Sequence, residues 1–478
     1  MVKLAVVAAI AATTVTAKIA SSVHRLLEVA DSVDVVVEFK DGNTRALRSA
    51  KLELNSIQER GPRIAHLRSL LVKTMESSQK EALEVLASQP EAFSVRTKQF
   101  HISNTLFLYG ANRNVLDKLA KLDTVAVIRS PVAAHLPVSE TDDVVVDLPV
   151  VLDNTTEATV QAIEWGVNRI GAPTVWASGN RGQGVVVGFL DTGVVATHEA
   201  LKGNYRSTHG WFDPIHKSAT PFDSTGHGTH VLGTAVGANG IGVAPDAQWI
   251  ACRGCNTDAC PEDAKTACAQ FLLCPTDADG SNPKCELAPH VINNSWGDVT
   301  RSNSYQASVN AWRAAGIIPV FAIGNFGPNC GTVTSPGDFK NVIGVGAVGW
   351  DDKLTTASSR GASQDGTRKP DVTAPGLNVR STWHVGNPAY KTISGTSTAA
   401  PHVTGTIALY LSKHKGATYD DVYSAITYMS VDTSGLTPER KNCGGLLDTG
   451  YPNNSYGWGR INAARALGVA NNSPSNHS

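Results

Sequence analysis

The first 250 residues of this 478-residue chain contain no cysteine, and beyond the N-terminus no apolar run approaches the ~18 residues of a membrane-crossing helix. An excess of one charge is missing too. Lys and Arg number 41 against 42 Asp and Glu, a formal net charge of -1, which excludes the basic surplus typical of a nucleic-acid partner. Charged residues are sparse at 17%, and the 42% that are hydrophobic supply a substantial core. The length exceeds one ordinary domain, so a large unit plus a smaller one is expected. The 43 glycines imply many tight turns and close backbone approaches.

At the N-terminus, "MVKLAVVAAIAATTVTAKIA" places one lysine before an apolar stretch and a small-residue cleavage site. This pattern predicts a signal peptide over 1–17 and a secreted, extracellular protein without a membrane anchor. The cysteines agree with export. All eight (Cys252, Cys255, Cys260, Cys268, Cys274, Cys285, Cys330 and Cys443) lie beyond residue 250. An even set in an exported chain reads as disulfides. The six between 252 and 285 are expected to staple a loop insertion, leaving Cys330 and Cys443 as a long-range pair. A zinc site is the rival reading of Cys252-x-x-Cys255, but no second matched CxxC or histidine pair accompanies it. Asn154, Asn293, Asn453, Asn471 and Asn476 are candidate glycosylation acceptors. Asn293 is discounted because its stretch reads as a buried strand.

Residues 18–135 read as a compact α+β unit. "VDVVVEFK" (34–41), "NTLFLYG" (104–110) and "VAVIRS" (125–130) have strand character; 63–88 carries apolar residues at helical spacing, and 112–122 begins with an asparagine cap. Residues 136–160 are acidic and punctuated by proline, as in a linker. From 161 to 470 short continuous apolar strands alternate with amphipathic segments. That order predicts an α/β domain with a mainly parallel sheet, and functional groups at the C-terminal ends of the strands. The polar tail, 471–478, is expected to be disordered.

Three polar groups stand at element ends: Asp191 after an apolar strand, His227 in "GHGTHVLG" before a helix, and Ser397 in a glycine-rich turn leading into an apolar helix. A serine is a weak nucleophile that needs a base, and the base needs an orienting group. Each residue alone has a bland explanation in turn or helix-start chemistry. The two histidines of "DSTGHGTHVLGTAVG" (223–237) could equally be metal ligands, although no HExxH pattern surrounds them.

Taken together, "VGFLDTGVVATH", "GHGTHVLGT" and "SGTSTAAPHVTG" resemble, in that order, the three signature blocks of the subtilisin-like serine protease (subtilase) family. The resemblance implies a secreted serine endopeptidase with a three-layer α/β catalytic domain. A ferredoxin-like unit over 18–135 would act as an inhibitory propeptide, cut from the domain within 136–160. By the same resemblance Ser397 is the nucleophile, His227 the general base and Asp191 its orienting acid. His230 becomes a structural histidine. "VFAIGNFGP" makes Asn325 an oxyanion donor, and "VINNSWG" makes Asn294, Ser295, Trp296 and Gly297 the substrate-pairing strand. Ala322, Ile323 and Gly324 would form the facing wall of the specificity pocket, and with Phe326 nearby and no acid in either stretch, an apolar or aromatic preference is expected.

No cofactor is implied for the chemistry. The family's calcium site is put in doubt by Ala200, which stands where many relatives have an aspartate. Thr398 follows the nucleophile where relatives usually carry methionine. The implied partners are protein and peptide substrates and the chain's own propeptide, on a monomer. Two alternatives remain. A processing protease cutting after basic residues would need an acidic pocket and a further β-rich domain. A catalytically dead binding module would usually lack one of the four catalytic residues.

Overall fold

The computed structural model describes residues 18–89, 94–136, 162–257, 259–428 and 431–469. The expected signal peptide, almost all of the linker and the tail, with Asn154, Asn471 and Asn476, lie outside these described residues.

The N-terminal unit follows from its alternating valines. In β1 (Ser32–Phe39), Val35, Val37 and Phe39 face one side and Val36 the other. β1 pairs antiparallel with β3 (Thr105–Asn112) and β4 (Val125–Arg129), and β3 pairs with β2 (Arg96–Phe100), giving the sheet order β2-β3-β1-β4. Helices Thr44–Glu53, Arg60–Ala87 and Arg113–Ala120 complete a β-α-β-β-α-β succession. The predicted asparagine cap is present: the Asn112 side chain accepts from Val115 N at 3.0 Å. One face of the sheet packs on helices Arg60–Ala87 and Arg113–Ala120. The other, through Val36, Phe100 and Phe107, meets Ala267 of the larger domain.

The larger domain is built on seven strands in the order β11-β10-β9-β8-β5-β7-β6, every pair parallel. They are β5 (Val186–Asp191), β6 (Trp211–Phe212), β7 (Gln248–Arg253), β8 (Val291–Asn294), β9 (Ile318–Ala322), β10 (Ile343–Val348) and β11 (Val372–Pro375). Continuous apolar runs suit strands covered on both faces. Helices His227–Val236 and Thr396–Lys413 supply Val231, Leu232, Val403 and Ile407 to the core on one face. Helices Glu262–Leu273 and Gln306–Ala314 supply Phe271, Leu272, Val309 and Trp312 on the other. The result is three layers. Ile64, Leu67 and Leu71 of the N-terminal unit join that second cluster, so the two units share a dry seam. A hairpin of β12 (Val379–Thr382) and β13 (Tyr390–Ile393) lies over helix His227–Val236.

All eight cysteines are paired: Cys252–Cys268, Cys255–Cys260, Cys274–Cys285 and Cys330–Cys443. The long-range pair is the expected one. The loop-insertion expectation needs correction, because Cys252 lies in β7 and Cys268 in helix Glu262–Leu273, both part of the core. Asn293 is buried in β8 as anticipated, and Asn453 is fully buried with its amide donating to Asp448 and Gly450 carbonyls, so neither offers a glycosylation site.

Candidate active site

The strand order reverses around β5 and β8, and at such a switch point loops open a crevice at the carboxyl ends of the strands. Asp191 ends β5, Asn294 ends β8, and helices His227–Val236 and Thr396–Lys413 begin beside them.

The glycines around His227 explain how close the elements come. Gly226 has φ +89°, and a Cβ there would reach Trp383 at 2.7 Å. A Cβ on Gly228 would run into Gly193 O and reach Asp191 Cβ at 3.2 Å. Only glycine lets this helix start against the end of β5. His227 Nδ1 consequently lies 2.7 Å from Asp191 Oδ1, which also accepts Thr192 N at 2.8 Å. The carboxylate fixes the proton on Nδ1 and leaves Nε2, which is buried and has no hydrogen-bond partner among the described residues, as the basic nitrogen. Burial works against an imidazolium there, but the charge and hydrogen bond of Asp191, with Asp223 behind, prevail and hold its pKa above the usual 6.5.

Asp223, the first residue of the histidine-bearing stretch, was not singled out from sequence. It accepts Thr192 Oγ1 at 3.0 Å, Gly226 N at 2.9 Å, and Thr229 N and Oγ1 at 3.0 and 2.7 Å. Burial alone would raise its pKa; these donors outweigh it and lower it. An aspartate before Ser-Thr-Gly is an Asx-turn and cap signal, and that signal was available. His230 is a different case. Its Nε2 bonds to Val379 O and Lys391 O at 3.0 and 3.1 Å, and burial pushes its pKa down to about 3. It ties the helix to the β12–β13 hairpin as a neutral side chain.

Ser397 is the second residue of a helix buried from Thr396 to Leu409. Its carbonyl accepts Ser295 Oγ at 2.8 Å, and Ser295 Oγ accepts Asn293 Nδ2 at 3.0 Å. Asn325 Oδ1 accepts Thr396 N at 2.9 Å and Thr396 Oγ1 at 2.8 Å. Both contacts fix which end of the amide is oxygen, so the NH2 end is the donor edge beside the helix start. Thr396 is a supporting group without a signal in the sequence, and Ser295, expected as part of the substrate-pairing strand, bonds through its side chain to the Ser397 carbonyl.

Of the stretch that the resemblance assigns to substrate pairing, Asn294 ends β8, and the side chains are engaged within the domain. Asn294 Nδ2 bonds to Val320 O at 3.2 Å, Trp296 packs edge-on against Tyr305 and Phe321, and Ala322 and Ile323 are buried. Main chain is what these stretches present. His135 N donates to Gly297 O at 2.9 Å and Gly297 N to His135 O at 3.0 Å; Ala134 exchanges the same pair with Cys260 at 3.1 and 2.7 Å. The end of the N-terminal unit thus lies as an extended strand between two edges of the domain. Upstream, Arg129 forks onto Glu262 at 2.9 and 2.6 Å, and Val132 N donates to the same carboxylate at 2.6 Å.

Between the walls 294–297 and 322–325 stands Thr334. A Cβ on Gly297 would collide with its hydroxyl, and one on Gly324 would reach its Cγ2 at 2.8 Å. Near Ala200 the turn offers no carboxylate at that position, and the Ala200 carbonyl is taken by Ala238 N at 2.8 Å.

Residues 182–459, more than half of the chain, match the model of the Subtilase family, Peptidase_S8. The chain is a subtilase. It is 31% identical to Bacillopeptidase F of Bacillus subtilis (strain 168) over 94% of its own length but only 32% of that relative's. It thus spans about a third of Bacillopeptidase F. With Subtilisin BL of Lederbergia lenta the identity is 33%, over 53% of this chain and 86% of the relative. With Subtilisin-like protease 3 of Pseudogymnoascus destructans it is 33%, over 60% of this chain and 70% of the relative. No helix among the described residues of this subtilase is long and apolar enough to cross a membrane.

Proposed function

We propose that this chain is a secreted serine endopeptidase, active as a monomer on proteins and peptides and made as a zymogen. The observation that carries the chemistry is the 2.7 Å bond between Asp191 and the Nδ1 of His227 at the mouth of the crevice. Ser397 Oγ attacks the scissile carbonyl and passes its proton to His227 Nε2; the carbonyl electrons move to the oxygen, stabilised by the Asn325 amide and the Ser397 N–H. The C–N bond then breaks as Nε2 returns the proton to the leaving amine. Water repeats the sequence on the acyl-enzyme. Asp191 stays ionised throughout and stabilises the imidazolium.

The strand Ala134–His135, held between Cys260 and Gly297, supports an inhibitory role for the N-terminal unit: it occupies the edges that an extended substrate would pair with. Thr334 supports a shallow specificity pocket, which favours small aliphatic side chains and narrows the apolar-or-aromatic expectation from sequence. Basic side chains find no acid in the walls 294–297 and 322–325. No metal enters the chemistry, and we read the turn at Ala200 as calcium-free, so chelation with EDTA should leave the melting temperature unchanged. The test is expression of the full chain beside Ser397→Ala, read by SDS gel and casein digestion. Wild type should shed a fragment ending within 136–160 and digest casein, and the variant should do neither. A wild-type chain that stays whole and leaves casein intact sinks the proposal.

A further inference from the structure

The cleft has two edges of unequal standing. The Gly297 edge continues β8 of the central sheet. The Cys260 edge lies on a short loop after β7, outside the sheet, where Asn256 N donates to Ala259 O at 2.9 Å and Ala259 N to Asn256 Oδ1 at 2.8 Å. An edge that receives a substrate's main chain must hold a fixed register, and a covalent link joins the two ends of this turn. Cys255 and Cys260 are both fully buried and joined to each other. On the near side of the link, Asp191 O accepts from both Gly254 N at 3.0 Å and Cys255 N at 3.1 Å. On the far side, Cys260 N and O bond to the extended strand. The path from the catalytic aspartate to the substrate-pairing edge is therefore two hydrogen bonds, one disulfide and a second pair of hydrogen bonds. A second disulfide, Cys252–Cys268, ties the start of this excursion to the helix that follows it, so the loop is held from both ends.

We propose that the Cys255–Cys260 disulfide is a positioning device for catalysis: it fixes the outer substrate edge relative to the Asp191–His227 pair, and so sets how much extended substrates gain from their length. The inference rests on the serine endopeptidase reading. It concerns only residues of substrate far enough upstream of the cut bond to reach Cys260. A substrate with a single acyl residue has no upstream main chain to pair with that edge.

The test compares a six-residue peptidyl ester with a single-residue ester of the same terminal acyl residue, on wild type, Cys255→Ala/Cys260→Ala and, as control, Cys274→Ala/Cys285→Ala. Casein digestion by wild type tests the endopeptidase reading by itself, so the length dependence of the esters tests the disulfide alone. Losing the register of two main-chain hydrogen bonds should lower the ratio of kcat/KM for long over short ester by about tenfold, carried by KM of the long ester. The control pair should leave the ratio where it is. If the 255/260 variant does not accumulate, the bond is opened in folded wild type with a phosphine, capped as methyl disulfides and located by mass mapping, and the same ratio is measured. A ratio unchanged on opening the bond overturns the proposal. So does an equal fall in the control, since that would reflect general loosening of the domain.

Discussion

Thr334→Gly should reshape the specificity pocket. Thr334 fills the gap between two glycine-bearing walls, where a Cβ on Gly324 would lie 2.8 Å from its methyl carbon. Its side chain is buried, and its hydroxyl bonds to Ile323 O at 3.2 Å. Removing it takes away three heavy atoms from the floor, while the main-chain bond from Thr334 N to Ile323 O remains. Room for even one further methylene in such a pocket is worth about 1–3 kcal/mol of discrimination, roughly 10–200-fold. The ratio of kcat/KM for a phenylalanine anilide over an alanine anilide should therefore rise by at least about tenfold. The substitution also costs stability, about 2–3 kcal/mol from lost packing, a lost hydroxyl bond and glycine's backbone entropy. That is less than the 5–15 kcal/mol typical of a domain, and circular dichroism will show whether the variant is folded. A folded variant whose phenylalanine-to-alanine ratio moves less than twofold would refute Thr334 as the floor.

Other outcomes follow from the same geometry. Because Asp191 holds the His227 pKa above 6.5, the base is neutral only at higher pH, so the acid limb of kcat/KM should have its midpoint above 6.5. Asp191→Asn should move that midpoint down while lowering kcat, and an unmoved midpoint would show that another group titrates. The same pair carries a stability consequence of the opposite sense: its contribution is full below pH 6.5 and lost as pH rises through the raised value, visible as a melting temperature of Ser397→Ala that falls over that range. Thr396→Val removes one of the two bonds orienting Asn325 and should lower kcat about 3–10-fold with KM little changed; a pure KM effect would count against an oxyanion role for Asn325. Thr398, buried and bonded to Gly395 O at 2.9 Å, has no sulfur to oxidise beside the nucleophile, so activity should outlast that of a Thr398→Met variant in peroxide.

Much of this was legible beforehand for identifiable reasons. The apolar strands and the three motifs carry their signal within a few residues, with Asp191 ending β5, Asn325 following β9 and His227 opening a helix. Val36 illustrates a limit: alternation announces β1, but nothing in it says that the second face docks on another domain through Phe100 and Phe107. β2, with the sequence "RTKQF", is an exposed edge strand without an apolar stripe, and helix Thr44–Glu53 buries little beyond Ala46 and Ala50. Neither stood out. Thr396 and Thr334 act through partners distant in sequence, and short polar side chains give no hint of such partners until the chain is folded; Asp223 differs, since most of its donors are local and its turn signal is readable. The cysteine pairing was visible only as far as the isolated couple Cys330–Cys443; six crowded cysteines allow many connectivities.

The helix Thr396–Lys413 carries Ser397, the proposed nucleophile, at its first turn and lies against β8, β9, β10 and β11. The proposed nucleophile is therefore attached to a helix buried from Thr396 to Leu409 against the central sheet. Amide protons along this helix should exchange with solvent only through global opening, not through local fraying. With Ser397 as the proposed nucleophile, self-digestion should reach this helix only when the whole domain unfolds. Working lifetime becomes a property of the unfolding rate of the core.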